Sequence, residues 1–177
     1  MLLSGLGALP IRPTVMKSVN IFHNKIWRGF LKLSQTSPTP SLYFLCGELP
    51  IEGKLHLGLF SLFYNILTNP QTKAFEIVKY ILMMSNEKSI TWSVHLIIIC
   101  RMYGLPDPLQ LMQAPPPTKL CWSTLVTTKV TVYHENKWRL KAENNSKMNY
   151  FNVRMLRLSG KPHPYSATFE TAGTSQS

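Results

Sequence analysis

Aspartate is almost missing from this chain. Of eight acidic residues, seven are glutamates and one is an aspartate, Asp107, set between Pro106 and Pro108 in a turn-like stretch. Metal-dependent polymerases and nucleases converge several carboxylates on Mg²⁺, and a lone aspartate with scattered glutamates does not build such a centre. Glu48 and Glu52 are the only close carboxylate pair, and Pro50 separates them, which gives a glycosidase pair no support. Cysteine is scarce too. Cys46, Cys100 and Cys121 are odd in number and widely spaced, so neither a disulfide framework nor a CxxC zinc pair is present. A reducing, intracellular compartment, cytoplasmic or nuclear, fits. Long apolar runs are also lacking. Leu96 to Cys100 falls far short of the roughly 20 residues a membrane helix needs. The first ten residues lack a charged leader, and Pro10 interrupts them, so a secretory signal is not expected.

Basic residues, by contrast, are abundant. Nineteen Lys and Arg against the eight acids give a net charge of +11 and a pI near 9.8. A phosphate polymer is the commonest partner of such an excess; an acidic membrane surface is the other candidate, and a merely basic protein is the bland one. RNA or DNA is the expected partner, with no membrane and no small-molecule substrate. At 177 residues and 45% apolar content, the chain is long enough to bury a core in one domain or two small ones. His23, His56, His95, His134 and His163 are isolated from one another and from cysteine. No metal and no cofactor are expected, because ligands cluster at short spacing. Gly5-Leu6-Gly7 lacks the third glycine of a dinucleotide loop. Cys46 before Gly47 suggests a nucleophile only faintly; a buried apolar cysteine is the simpler reading.

Thirteen prolines punctuate the chain, and the stretches between them carry helical periodicity. Val15, Val19, Phe22, Ile26, Phe30 and Leu33 share one face of a first helix over 14–33, with Thr14 its expected N-cap. The second, over 51–68, aligns Leu55, Leu59, Leu62 and Ile66. The third, over 72–84, carries Phe75, Val78, Ile81 and Leu82. The fourth, over 90–103, aligns Trp92, Leu96, Ile99 and Tyr103, and Gly104 is its natural stop. Residues 118–142 alternate locally like a strand around Thr127–Thr131, but their length favours a helix with Trp122, Leu125, Val126, Tyr133 and Leu140 on one face. Phe22 and Leu62 are expected in the core. The expected fold is therefore all-α, an elongated array of about five to six helices with a frayed C-terminal tail. It divides into a helical region over 1–113, a proline linker at 114–117, a basic helical region over 118–167 and a disordered tail over 168–177.

Two groups of cations are candidates for nucleic-acid contact. Residues 137–161 hold Lys137, Arg139, Lys141, Lys147, Arg154, Arg157 and Lys161 against Glu143 alone, with Trp138, Tyr150 and Phe151 interleaved. Cations pair with phosphates and aromatic rings stack on bases, although a solvated helix face would read the same way. The first helix places Lys17, Lys25, Arg28 and Lys32 roughly opposite its apolar stripe, and residues 1–47 contain no acid. The four tryptophans, on helical faces, suit a core better than a stacking platform.

An ordered series of landmarks adds a resemblance. Leu2-Leu3-Ser4-Gly5-Leu6 is followed by Phe22-His23 with Trp27-Arg28, then Leu49-Pro50-Ile51-Glu52-Gly53-Lys54-Leu55-His56. Leu59-Phe60-Ser61-Leu62-Phe63 comes next, then the Thr91-Trp92 helix and Tyr103-Gly104-Leu105-Pro106. The series, over roughly residues 1–165, resembles the region after the catalytic domain in the reverse transcriptase polyprotein of non-LTR (LINE-type) retrotransposons from animals. No single motif in it is diagnostic. The resemblance implies a role in holding element RNA and target DNA near a polymerase, and it brings no active site. The family's polymerase signature has two adjacent aspartates, which occur nowhere here, so no catalytic residue carries over. The alternatives are a small helical protein–protein interaction module and a translated relic without selected function.

Overall fold

The computed structural model describes residues 13–84 and 92–144. They form seven α-helices and no strand: α1 (Pro13–Phe30), α2 (Thr39–Cys46), α3 (Ile51–Leu67), α4 (Lys73–Met84), α5 (Trp92–Tyr103), α6 (Pro108–Gln113) and α7 (Lys119–Glu143). The chain is all-α over these residues. Five helices follow the periodicity of the sequence. The two unexpected ones, α2 and α6, are too short for periodicity to reveal, and both are set by proline and capping. Pro38 precedes α2 and Gly47 closes it at φ 65°. Asp107 is the N-cap of α6, where its side chain accepts a hydrogen bond from the Leu109 N–H at 2.8 Å and Pro108 fills the first turn. The expected turn residue is thus a helix start.

The described residues divide into two compact units. The first comprises 54–84 and 92–130; the second comprises 13–53 and 131–144. In the first, α4 lies beside α5 and α6, and α5 beside α6. The core draws on Leu59, Phe60 and Phe63 of α3, Leu96 and Ile99 of α5, and Trp122 and Val130 of α7, all buried. Trp122 meets the rings of Phe60, Phe63 and Tyr64, and its indole N–H donates to the Phe60 carbonyl at 3.3 Å. The Tyr64 hydroxyl donates to the Pro117 carbonyl at 3.0 Å, tying down the extended stretch that enters α7. Trp122 and Tyr64 are thus buried with their polar groups satisfied, as a packed interior requires. The α5 stripe is as expected: Leu96, Ile99 and Tyr103 are buried and Trp92 half-buried. Leu62 is a correction. It points outward, because the buried arc of α3 runs through Leu55-His56, Leu59-Phe60 and Phe63-Tyr64 instead.

In the second unit α1 lies against α2. Tyr43 of α2 is the hub. Its ring stacks with His23 of α1 at 6.3 Å and meets Trp138 of α7 at 4.9 Å, while its hydroxyl donates to Asn24 Oδ1 at 2.7 Å. Phe44 and Ala142 are buried in the same cluster, with Leu49 and Trp138 packed against it. The face of α1 that packs carries Met16, Asn20, His23 and Trp27, each half-buried. This overturns most of the expectation for α1: of its expected stripe Val15, Phe22, Ile26 and Phe30 face solvent, while Val19 and Leu33 are half-buried. The packed side supplies what Tyr43 needs: Asn24 accepts its hydroxyl hydrogen bond and His23 stacks on its ring, where an aliphatic stripe offers no acceptor. The expected cap is also corrected, since α1 begins at Pro13 and takes Thr14 into its first turn.

Two helices end alike. Leu33 N–H bonds to Arg28 C=O at 2.8 Å and Lys32 N–H to Gly29 C=O at 3.2 Å, with Lys32 left-handed at φ 52°. Leu105 N–H bonds to Cys100 C=O at 2.9 Å and Gly104 N–H to Arg101 C=O at 3.1 Å, with Gly104 at φ 62°. Both are Schellman turns, one built on the residue that suits it and one on a lysine.

Candidate nucleic-acid interface

α7 buries a row of residues that differs from the face its apolar periodicity marks. Trp122, Val126, Val130, His134 and Ala142 are buried, with Trp138 half-buried in the same row. They recur every four residues, and at 3.6 residues per turn such a row winds by about 40° per step. A single fixed face therefore does not exist, and Leu125 and Leu140, expected inside, are exposed.

The winding row fixes the cations of α7. Lys137 pairs with Glu52 Oε2 at 3.2 Å, and its ammonium lies 5.8 Å from the Tyr133 ring. Lys141 holds its ammonium 4.6 Å from the centre of the Trp138 ring, a cation–π contact. Arg139 is half-buried, and its Nε, like Trp138 Nε1, is shielded from solvent with no hydrogen-bond partner. Such groups cost stability. Trp138 is thus a packing residue between Tyr43 and Lys141. Lys147, Arg154, Arg157 and Lys161, with Tyr150 and Phe151, lie outside the described residues.

On α1 the cations differ in kind. Arg28 is a clip: its Nη2 donates to the Ser37 carbonyl at 3.0 Å and to Thr39 Oγ1 at 3.2 Å, joining the end of α1 to the start of α2. Lys17 and Lys25, on the same side of the helix, and Lys32 in the turn after it are exposed, and no carboxylate of the described residues pairs with them. The second unit therefore brings Lys17, Lys25 and Lys32 to solvent, commits Arg28 and Lys137 to hydrogen-bonded contacts, and lays the exposed Lys141 over Trp138.

Three groups have shifted ionisation. His134 is fully buried, and desolvation pushes its pKa down to about 4, with Lys137 lowering it further and Glu52 raising it. Burial pushes Tyr43 up to about 12, assisted by Cys46 and Glu52 and opposed by Arg28. The Cys100 thiol is pushed up to about 12 by burial and then by Asp107. A thiol so shifted is a poor nucleophile, and Cys46 is the buried apolar cysteine expected. Among the described residues no group of three His, Cys, Asp or Glu is placed to hold a metal ion. A cavity of about 260 Å³ in the first unit lies between α3 and α7, over Phe60, Tyr64 and Trp122. Lys119, Asn65, Ser61, Ser123 and Thr127 supply its polar wall, and no carboxylate, histidine or cysteine lines it.

The Lys137–Glu52 pair and the Tyr43 hub join residues far apart in the chain, and no local pattern announces them. No protein-family model, curated protein or solved structure matches this chain.

Proposed function

We propose that the chain is a non-catalytic segment of a retrotransposon reverse transcriptase polyprotein that contacts RNA or DNA without reading sequence. The observation that carries the nucleic-acid reading is the set of exposed, unneutralised lysines at α1, Lys17, Lys25 and Lys32, in a stretch of 47 residues without an acid. Cations of this kind release counterions from a phosphate backbone, and that release dominates non-specific affinity. The basic stretch 137–161 supplies a second group, of which Lys147, Arg154, Arg157 and Lys161 lie outside the described residues. The ancestry rests on the ordered landmarks of the sequence.

Titration of a fluorescent single strand at several salt concentrations tests the reading. Affinity falls steeply as salt rises. Replacing Arg154, Arg157 and Lys161 together by Ala lowers the log-log salt slope by about 2, at roughly 0.7 per lost phosphate contact. Replacing Lys17, Lys25 and Lys32 by Gln lowers it by a similar amount if α1 supplies the contact. Binding that is absent, or insensitive to salt, would sink the proposal. An upstream reading frame with paired aspartates tests the ancestry separately.

A further inference from the structure

α1 has three sides. One, through His23 and Trp27, faces α2. A second carries Lys17 and Lys25. The third carries Val15, Phe22, Ile26 and Phe30, which are 50%, 66%, 53% and 70% exposed. At about 100° per residue these four fall within roughly 80° of arc, beside Lys25. Contiguous exposed apolar side chains mark a surface that meets a partner, and three constraints define this one.

The first constraint is charge. α1 contains Lys17, Lys25 and Arg28 and no acid, and Lys25 borders the stripe, so the field of the helix favours a negatively charged partner over a second copy of the same charge. The partner is anionic. The second is hydrogen bonding. Protein interfaces carry about one hydrogen bond per 100–200 Å², which requires directional groups. On the outward arc, Ser18 already donates to the Thr14 carbonyl at 3.2 Å, and apart from Thr14 at the first turn the other exposed side chains are apolar or lysine. The third is composition. An apolar face with phenylalanines, a lysine face and few other polar groups is the pattern of helices that lie in the headgroup region of a bilayer.

We propose that α1 docks on an anionic lipid surface, with Phe22, Ile26 and Phe30 entering the acyl boundary, Lys25 at its border meeting the headgroups and Lys17 adding long-range attraction from the far side. This is association at a surface: among the described residues no helix is long and apolar enough to cross a membrane. The apolar stripe separates it from the nucleic-acid reading, which uses the lysines alone.

Sedimentation of the full chain with vesicles tests it, comparing phosphatidylcholine containing phosphatidylserine with phosphatidylcholine alone. Binding to the mixed vesicles, weakened by salt, is expected. Phe22→Ser with Phe30→Ser lowers partitioning by at least about tenfold while oligonucleotide affinity stays unchanged and the melting temperature falls only slightly, because Phe22 lies in solvent and Phe30 loses one edge contact with Trp27. Lys17→Gln with Lys25→Gln lowers partitioning to the mixed vesicles and removes their advantage over the neutral ones. No sedimentation with the mixed vesicles overturns the proposal. So does sedimentation that the phenylalanine variant leaves intact, which assigns it to charge alone. Self-association of the wild type by light scattering, lost in that variant, assigns the stripe to a second copy. Loss of oligonucleotide affinity in the same variant assigns it to nucleic acid.

Discussion

α1 and α5 are helices with equally legible apolar periodicity and opposite fates. On α5 the stripe Leu96, Ile99 and Tyr103 is buried; on α1 the stripe Val15, Phe22, Ile26 and Phe30 lies in solvent. Both end in the same hydrogen-bonded turn, with Gly104 at the left-handed position of one and Lys32 at that of the other. Periodicity identifies a helix and its apolar side. It does not say whether the rest of the chain covers that side. α1 packs through the neighbouring arc because Tyr43 finds His23 to stack on and Asn24 to bond.

The sharpest way to break this comparison is to truncate each stripe. Ile99→Ala on α5 should cost about 2–5 kcal/mol, the range for a buried large side chain leaving a cavity, measured by denaturant unfolding. A cost below about 1 kcal/mol would mean that the α5 face is not a core face.

The second unit has an interior despite its exposed helix, and pH reads it. His134 is lowered from 6.5 to about 4 by burial. Its neutral form is the folded one, so the unfolded chain binds the extra proton between those values. Stability from this group is full above pH 6.5 and is lost as pH falls through 4. The penalty approaches roughly 3 kcal/mol at about 1.4 kcal/mol per pH unit. Glutamates titrate in part of the same window, so the comparison is with His134→Leu, whose stability should fall less between pH 6.5 and 4. Parallel curves for the two proteins would place His134 in solvent.

The two helix ends should answer oppositely. Lys32→Gly should stabilise by about 1 kcal/mol, since a left-handed residue with a Cβ carries a strain of roughly 1–2 kcal/mol. Gly104→Ala should destabilise by a similar amount through backbone strain alone, because an added Cβ there meets nothing within 4 Å. Thermal melts of the two variants shifting in the same direction would remove the shared-turn account.

Lys137→Ala should cost only about 0.2–1 kcal/mol, as expected of a partly solvated ion pair; its side chain and that of Glu52 are about a third exposed. Smallest of all, Phe22→Ala should change stability by less than about 0.5 kcal/mol, although its position in the periodicity is that of a core residue. A loss of 2 kcal/mol or more there, on the scale of a buried phenylalanine, would restore the face that the sequence suggested.

The sequence by itself determined the helical class, the extents of the longer helices to within a few residues, the stop at Gly104 and the cationic excess. These are local or additive properties: periodicity, proline and glycine conformations, and a sum of charges. It also ranked the tryptophans as packing residues, which Trp122 and Trp138 are. Only the tertiary structure decided which candidate cations reach solvent. Arg28 and Lys137 look in sequence like Lys17 and Lys25, yet their partners Thr39 and Glu52 lie 11 and 85 residues away. It alone decided the buried row of α7, because a four-residue repeat winds around a helix and is followed only by the surfaces that cover it. It alone left the α1 stripe uncovered, because burial depends on what the whole chain brings alongside, and no local pattern encodes that.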